Sequence, residues 1–278
     1  YALLDLSNNQ KIIPEITIDK NIWGEASCSR SEADAYGPHG IDIVQRDNGT
    51  YQIGVINHFP YESVEMFELS KNTESWELIW KGCIAVPEDL YFNDIGLRAD
   101  GSFYASHMYR RDITENEWLI NSLFKSNSGH VVIWKDGDFI KVPNTEGSGP
   151  NGILLDEESD LLYISYNQGD KISIFDLSTN TMGVDYFVQS PDNIHIGKSS
   201  LWVTSLDFQA NDFGDCSEKV ACSLPFSIHQ LDKKTLKLKN KTSFSKTVFG
   251  LPTVAVPIDE MIYLGSFHSD RMGYFIKK

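Results

Sequence analysis

Basic residues are scarce in this chain: 24 Lys and Arg stand against 39 Asp and Glu, a formal charge of −15. That sign repels a phosphate backbone, weighs against nucleic acid as a partner and favours cations. Long hydrophobic runs are absent, and nothing approaches the ~18 apolar residues that a membrane-spanning helix needs. Cysteines are few, and Cys28, Cys83, Cys216 and Cys222 include no CxxC pair, which removes the spacing of a zinc site. Only Cys216 and Cys222, in DCSEKVAC, are close enough in sequence to suggest a local bridge. The opening YALLDL has no initiator Met, basic region, apolar region or cleavage site, so the chain reads as processed or truncated.

Enough remains for a folded core. Hydrophobic residues make up 41% and aromatics 12% of 278 residues, a composition that suits one globular domain over residues 1–278. Sequons at Asn48 (NGT) and Asn240 (NKT) lie in polar stretches and fit glycosylation in the secretory-pathway lumen or outside the cell.

One short phrase recurs, as PHGIDI, FNDIGL, GPNGILL, PDNIHIG and LPTVAV, with aligned apolar residues at Ile41, Ile95, Ile153, Ile194 and Val254. The intervals, about 40 to 60 residues, match or slightly exceed a propeller blade. A second strand follows each phrase (YQIGVINH, GSFYASHM, DLLYISYN, SSLWVTSL, EMIYLGSF), and a third is clearest in KISIFDL and FSIHQLDKKTLKL. Each repeat therefore predicts a small antiparallel meander that must stack on others to bury its faces. YALLDL reads as the outer strand of a further, incomplete blade. The expected fold is an all-β, six-bladed β-propeller whose first blade is incomplete at the N-terminus. Residues 112–126 break the strand pattern: Trp118, Leu119, Leu123 and Ile120 fall at helical spacing, and Thr114 with Glu117 has capping-box spacing. A helix inserted between two strands of one blade is expected there, covering an end of the propeller with Trp118, Leu119 and Leu123 buried.

In a propeller the innermost strands line a central channel, so equivalent positions of different blades converge. The polar pairs before the aligned apolar residues are His39-Gly40, Asn93-Asp94, Asn151-Gly152 and Asp192-Asn193. Asn and Asp oxygens without thiolates suit a hard cation, and calcium, with six to eight oxygen ligands in flexible geometry, fits better than magnesium.

With these motifs in place, the chain resembles the paraoxonase/arylesterase family. PHGI at 38–41, INHFPYESVEMFEL at 56–69, FNDI at 92–95, PNGI at 150–153, PDNI at 191–194 and GSFH at 265–268 carry the resemblance along most of its length. It implies a calcium-dependent, six-bladed propeller that hydrolyses lactones and aryl or carboxylic esters, with two calcium ions, one catalytic and one structural. By motif, Asn93, Asn151, Asp192 and Asn193 match ligands of the catalytic ion. Asp94 and the backbone carbonyl of Ile41 match ligands of the structural one. His39 matches the proposed general base and His58 the histidine that orients it or relays its proton. His268, placed in the last strand, and His107 match residues lining the substrate pocket. A lipid surface that the helix near 112–126 touches is the sharper alternative to its role as a cover.

The family's N-terminal acidic pair lies upstream of the strand that YALLDL resembles, and its C-terminal cysteine has no counterpart in MGYFIKK. The chain then reads either as a fragment with weakened ring closure and calcium sites or as a divergent member that closes its ring differently, and the missing negative ligand is expected to weaken calcium affinity. Two other readings stand beside the hydrolase: a non-enzymatic paraoxonase-like binding or assembly factor of the secretory pathway, and a relative of strictosidine-synthase-like or gluconolactonase-like propellers.

Overall fold

The computed structural model describes residues 1–31, 34–71, 75–208, 216 and 220–277. They group into two compact units, Tyr1–Ala105 with Val132–Ile140, and Ser106–Val131 with Lys141–Lys278.

The first unit opens with β1 (Leu3–Asp5) and β2 (Gln10–Ile12), an antiparallel pair that forms a sheet of its own. Next come β3 (Glu15–Ile18), β4 (Pro38–Gln45), β5 (Tyr51–Asn57), β6 (Ser63–Lys71) and β7 (Trp76–Ala85). They pair in the order β3-β7-β6-β5-β4, an antiparallel meander with β3 added in parallel along β7. A second meander runs through β8 (Phe92–Leu97), β9 (Phe103–His107), β10 (His130–Lys135) and β11 (Asp138–Lys141). β5 reads QIGVIN without a polar side at its centre and is buried throughout that stretch, as expected of a strand covered on both faces. Ile56, Val64, Met66, Phe92 and Phe103 form one core of this unit.

The second unit contains the α-helix α1 (Glu115–Phe124) and three meanders. These are β12 (Pro150–Asp156), β13 (Leu161–Tyr166), β14 (Lys171–Asp176) and β15 (Thr181–Phe187); β16 (Pro191–Ile196), β17 (Ser200–Leu206), β18 (Phe226–Asp232) and β19 (Leu238–Phe244); and β20 (Pro252–Ile258), β21 (Met261–Ser266) and β22 (Gly273–Ile276). Tyr163, Ile172, Ile194, Leu201 and Val203 join β12–β15 to β16–β19 in one buried cluster.

The all-β class and blade-type sheets agree with the sequence expectation, but the blades number five among the described residues, not six. The stretch YALLDL is not the outer strand of another blade. Asp5 accepts hydrogen bonds from the Ser7 backbone and hydroxyl and from the Asn8 side chain, and Asn9 takes a left-handed φ of 57°. This turn folds β1 back on β2, because short side chains that bond their own backbone favour a local hairpin.

Four of the recurrent phrases share a backbone device. The pairing register of β4, β12, β16 and β20 with the next strand shifts just after the opening proline, at Pro38/Ile41, Pro150/Ile153, Pro191/Ile194 and Pro252/Val254. A bulge there re-aims the residues between proline and apolar anchor, which are His39-Gly40, Asn151-Gly152 and Asp192-Asn193 in the first three.

Two disulfides are present, Cys216–Cys222 and Cys28–Cys83. The second spans 55 residues and had no signal in sequence spacing. It ties the segment before β4 to β7, where Arg30 is buried against Glu65 at 2.7 Å. Glu65 also accepts from Ser63 Oγ and Trp80 Nε1, and Arg30 lies over the rings of Tyr36 and Tyr61. Removing one member strands the other charge, so Arg30→Ala is expected to lower stability by about 3–5 kcal/mol in urea unfolding. A loss under about 1 kcal/mol would show that the pair is not buried as described.

Candidate functional site

The donors of the second unit come first because they stand together there. Asn151 follows the opening proline of β12 and is 7% exposed; Asp192 holds the same place in β16 and is 9% exposed. Gly152 lets the two strand starts approach: a Cβ on it would lie 2.6 Å from the Asn193 Cα and 2.8 Å from Asn193 Oδ1. The Asn151 backbone carbonyl accepts from Ser106 Oγ, yet its side-chain Oδ1 is buried with no hydrogen-bond partner among the described residues.

Asp192 has no ion pair among the described residues, and its carboxyl is pushed up to about 7 by burial, against which only the Asn193 backbone N–H works. The approaching starts of β12 and β16 thus carry a buried amide oxygen and a buried carboxyl, with no hydrogen-bond partner for the first and no ion pair for the second among the described residues. Buried polar oxygens are rarely left so, and the set has the chemistry of an incomplete hard-cation site. Asn193, half-buried, adds a third oxygen.

In the first unit, His39 and His58 meet with Nδ1 and Nε2 3.0 Å apart. His58 Nδ1 lies 2.7 Å from Glu62 Oε2, and the His58 ring stacks on Tyr91 with centroids 4.6 Å apart. The carboxylate fixes the tautomers. His58 Nδ1–H donates to Glu62, so His58 Nε2 accepts from His39 Nδ1–H, and the lone pair of His39 Nε2 is left for an incoming proton. Desolvation first, and His58 second, lower the His39 pKa below the usual imidazole range, so its ring is neutral at neutral pH.

Glu62 was missed in the sequence, where it is four residues past His58. The turn makes the contact: Asn57 Nδ2 donates to the carbonyls of Phe59 and Tyr61, curling the chain so that Glu62 faces His58.

Asn93 and Asp94 lie in β8, each 7% exposed. A Cβ on Gly40 would stand 2.6 Å from Asp94 Oδ1, so the bulge of β4 sits against this carboxylate. Ile41 is the first residue past that bulge, paired with Val55, its side chain exposed.

Two placements differ from the sequence reading. His268 is not in the last strand: it follows β21 in the turn before β22, and its Nε2–H donates to the Cys216 carbonyl at 2.8 Å. The helix caps as expected, with Thr114 and Glu117 bonding each other's backbone N–H, but no residue of it is buried. Leu119, Leu123 and Phe124 are 45%, 69% and 78% exposed, because a short helix anchored through its end, by Lys125 to Asp170 at 2.6 Å, need not lay down its apolar side. His107 is buried at the end of β9, edge-on to His130 with ring centroids 4.8 Å apart. Asn48 is exposed in the turn after β4, its Oδ1 accepting from Thr50, and Asn240 is half-buried on β19.

No protein-family model matches the chain, and no curated protein matches it. Among solved structures it is similar to the hydrazine synthase of Kuenenia stuttgartiensis, with 14% identity and a TM-score of 0.53, covering 85% of this chain and 57% of that one. The chain thus spans little more than half of that protein's length, and the likeness is one of fold. A luciferin-regenerating enzyme aligns over 86% of this chain and 72% of its own, at 12% identity and a TM-score of 0.48. The nidogen/laminin complex aligns over 88% and 76%, at 12% and 0.44.

Asp192 gives the site a pH signature. Its folded pKa, about 7, lies above the ~3.9 of a free Asp, so the folded chain keeps a proton that the unfolded chain gives up. Its stabilising effect is full below about pH 4 and is lost as pH rises through about 7. In chelator, unfolding free energies of wild type relative to Asp192→Asn are expected to fall across that window. A difference that does not change with pH would remove the unpaired carboxylate.

Proposed function

We propose that this protein is a calcium-dependent hydrolase of lactones and of aryl or carboxylic esters, working in an oxidising compartment. The observations that carry the reading are the buried Asp192 carboxyl at the start of β16, with no counter-charge among the described residues, and the unpartnered Oδ1 of Asn151 at the same place in the adjoining β12. Asn151, Asp192 and Asn193 fit a calcium ion by type, since all are oxygen donors. In the first unit, Asn93 is an oxygen donor of the same type, and Asp94 with the Ile41 carbonyl are the proposed ligands of a second ion. Calcium, when bound, supplies a Lewis acid for an ester carbonyl and its developing oxyanion.

The chain's own residues supply the proton chemistry. His39 Nε2 takes a proton from water, and the positive charge that develops on its ring is met by His58 through the 3.0 Å contact. Glu62, 2.7 Å from His58 Nδ1, keeps that imidazole turned and stabilises a proton passed to it. The two disulfides support the compartment, since such bonds persist where thiols are oxidised. Glycosylation at Asn48 and Asn240, His107 and His268 as pocket residues, and lipid contact through the exposed Leu123 and Phe124 belong to the same reading.

Hydrolysis of γ-butyrolactone and phenyl acetate with calcium, and then with chelator, tests it. Activity is expected to disappear on chelation and in Asp192→Ala, and to fall about 10²-fold or more in kcat for His39→Gln. Glu62→Gln is expected to lower kcat with little change in KM and to alter the pH profile. Turnover that persists in chelator and in Asp192→Ala would overturn the calcium mechanism. Calcium binding with no turnover of either substrate would instead favour the binding or assembly factor.

A further inference from the structure

Asn151 is not alone in lacking a partner at this end of the second unit. Oε1 and Nε2 of Gln168 and Oγ of Ser148 are also buried with no hydrogen-bond partner among the described residues, on residues only 8% and 4% exposed. Their backbones are fixed. The Gly169 N–H donates to the Ser148 carbonyl at 3.0 Å and the Asn167 N–H to the Gly149 carbonyl at 2.9 Å. Asn167 Nδ2 donates to the Pro191 carbonyl at 3.1 Å, so the loop carrying Gln168 is tied to the residue before Asp192.

Gly149 sets where the amide goes. Its φ is +61°, and a Cβ there would stand 3.0 Å from Gln168 Cγ and 3.2 Å from Cδ, so the Gln168 side chain lies across Gly149, two residues ahead of Asn151. A glutamine with both ends of its amide unpaired loses on the order of 1–3 kcal/mol for each group. An apolar side chain would fill the same volume without that loss. What reconciles a donor-and-acceptor pair with such burial is a ligand group that both gives and takes a hydrogen bond.

We propose that Gln168 and Ser148 form a polar subsite beside Asn151 and Asp192 that takes a hydroxyl carried on the acyl chain of the substrate. This rests on the hydrolase reading for the identity of the substrate, but not for the binding itself. The hydroxyl donates to Gln168 Oε1 and accepts from Nε2 or from Ser148. The subsite thereby selects hydroxylated acyl groups over plain ones, because a ligand that lacks the group leaves the amide unpaired.

Calorimetric titration of the whole protein in calcium with β-hydroxyhexanoate, γ-hydroxyhexanoate and hexanoate tests the subsite without turnover. At least one hydroxy acid is expected to bind about tenfold more tightly than hexanoate. Gln168→Met is expected to bring that ratio close to one and to raise the unfolding temperature, and Ser148→Ala to reduce the ratio in part. Equal binding of all three acids to wild type, no binding of any, or a ratio unchanged in Gln168→Met overturns the proposal. Hydrolysis of the phenyl esters of the same three acids, in which the chain hydroxyl stays free, separates the two claims. Selective binding without turnover sinks the hydrolase and leaves the subsite, whereas turnover with no selectivity does the reverse.

Discussion

A carboxylate buried with nothing positive beside it is the constraint from which the rest follows. Asp192 sits at the start of β16 with its charged form disfavoured by burial, and Asn151, at the same place in the adjoining β12, keeps an amide oxygen that no donor among the described residues reaches. A fold can keep such a pair in only two ways: by holding a proton on the acid or by holding a cation between the oxygens. The first is available in the bare chain at low pH. The second makes the pair useful at neutral pH, and it fits a protein whose charge is −15.

The architecture that creates this constraint is a repeated one. In β4, β12 and β16 a proline opens the strand, the register slips, and an apolar anchor resumes the pairing. Between proline and anchor stand the residues of chemical interest, turned out of the ladder. Glycine at 40 and 152 then permits a neighbouring strand to come close. The His39–His58 contact of the first unit depends on the same device, since His39 occupies the bulge of β4 while His58 follows β5. Glu62 reaches His58 only because Asn57 curls the intervening turn.

Much of this was legible in the sequence, and for a physical reason. The phrase P-x-x-I recurs at β4, β12 and β16 because these strands share the same start, so period and polarity together reveal the blades and the polar residues at their heads. The blade number was not legible: YALLDL has the apolar content of an outer strand, and whether it joins a blade or its neighbour at β2 is decided by the Asp5 turn, a local hydrogen-bonding matter. The Cys28–Cys83 bridge and the Arg30–Glu65 pair were invisible because both join distant segments. Glu62 and Gln168 were missed for the opposite reasons. Glu62 lies near His58 in sequence but acts through a turn, while Gln168 is in a loop where an amide is ordinary until its burial is known.

Calcium calorimetry on wild type and Asp192→Asn tests the central claim most directly. The account expects two binding events in wild type and the loss of one, or its weakening by tenfold or more, in Asp192→Asn. Calcium isotherms that are the same for both proteins, or no calcium uptake by wild type, would contradict it.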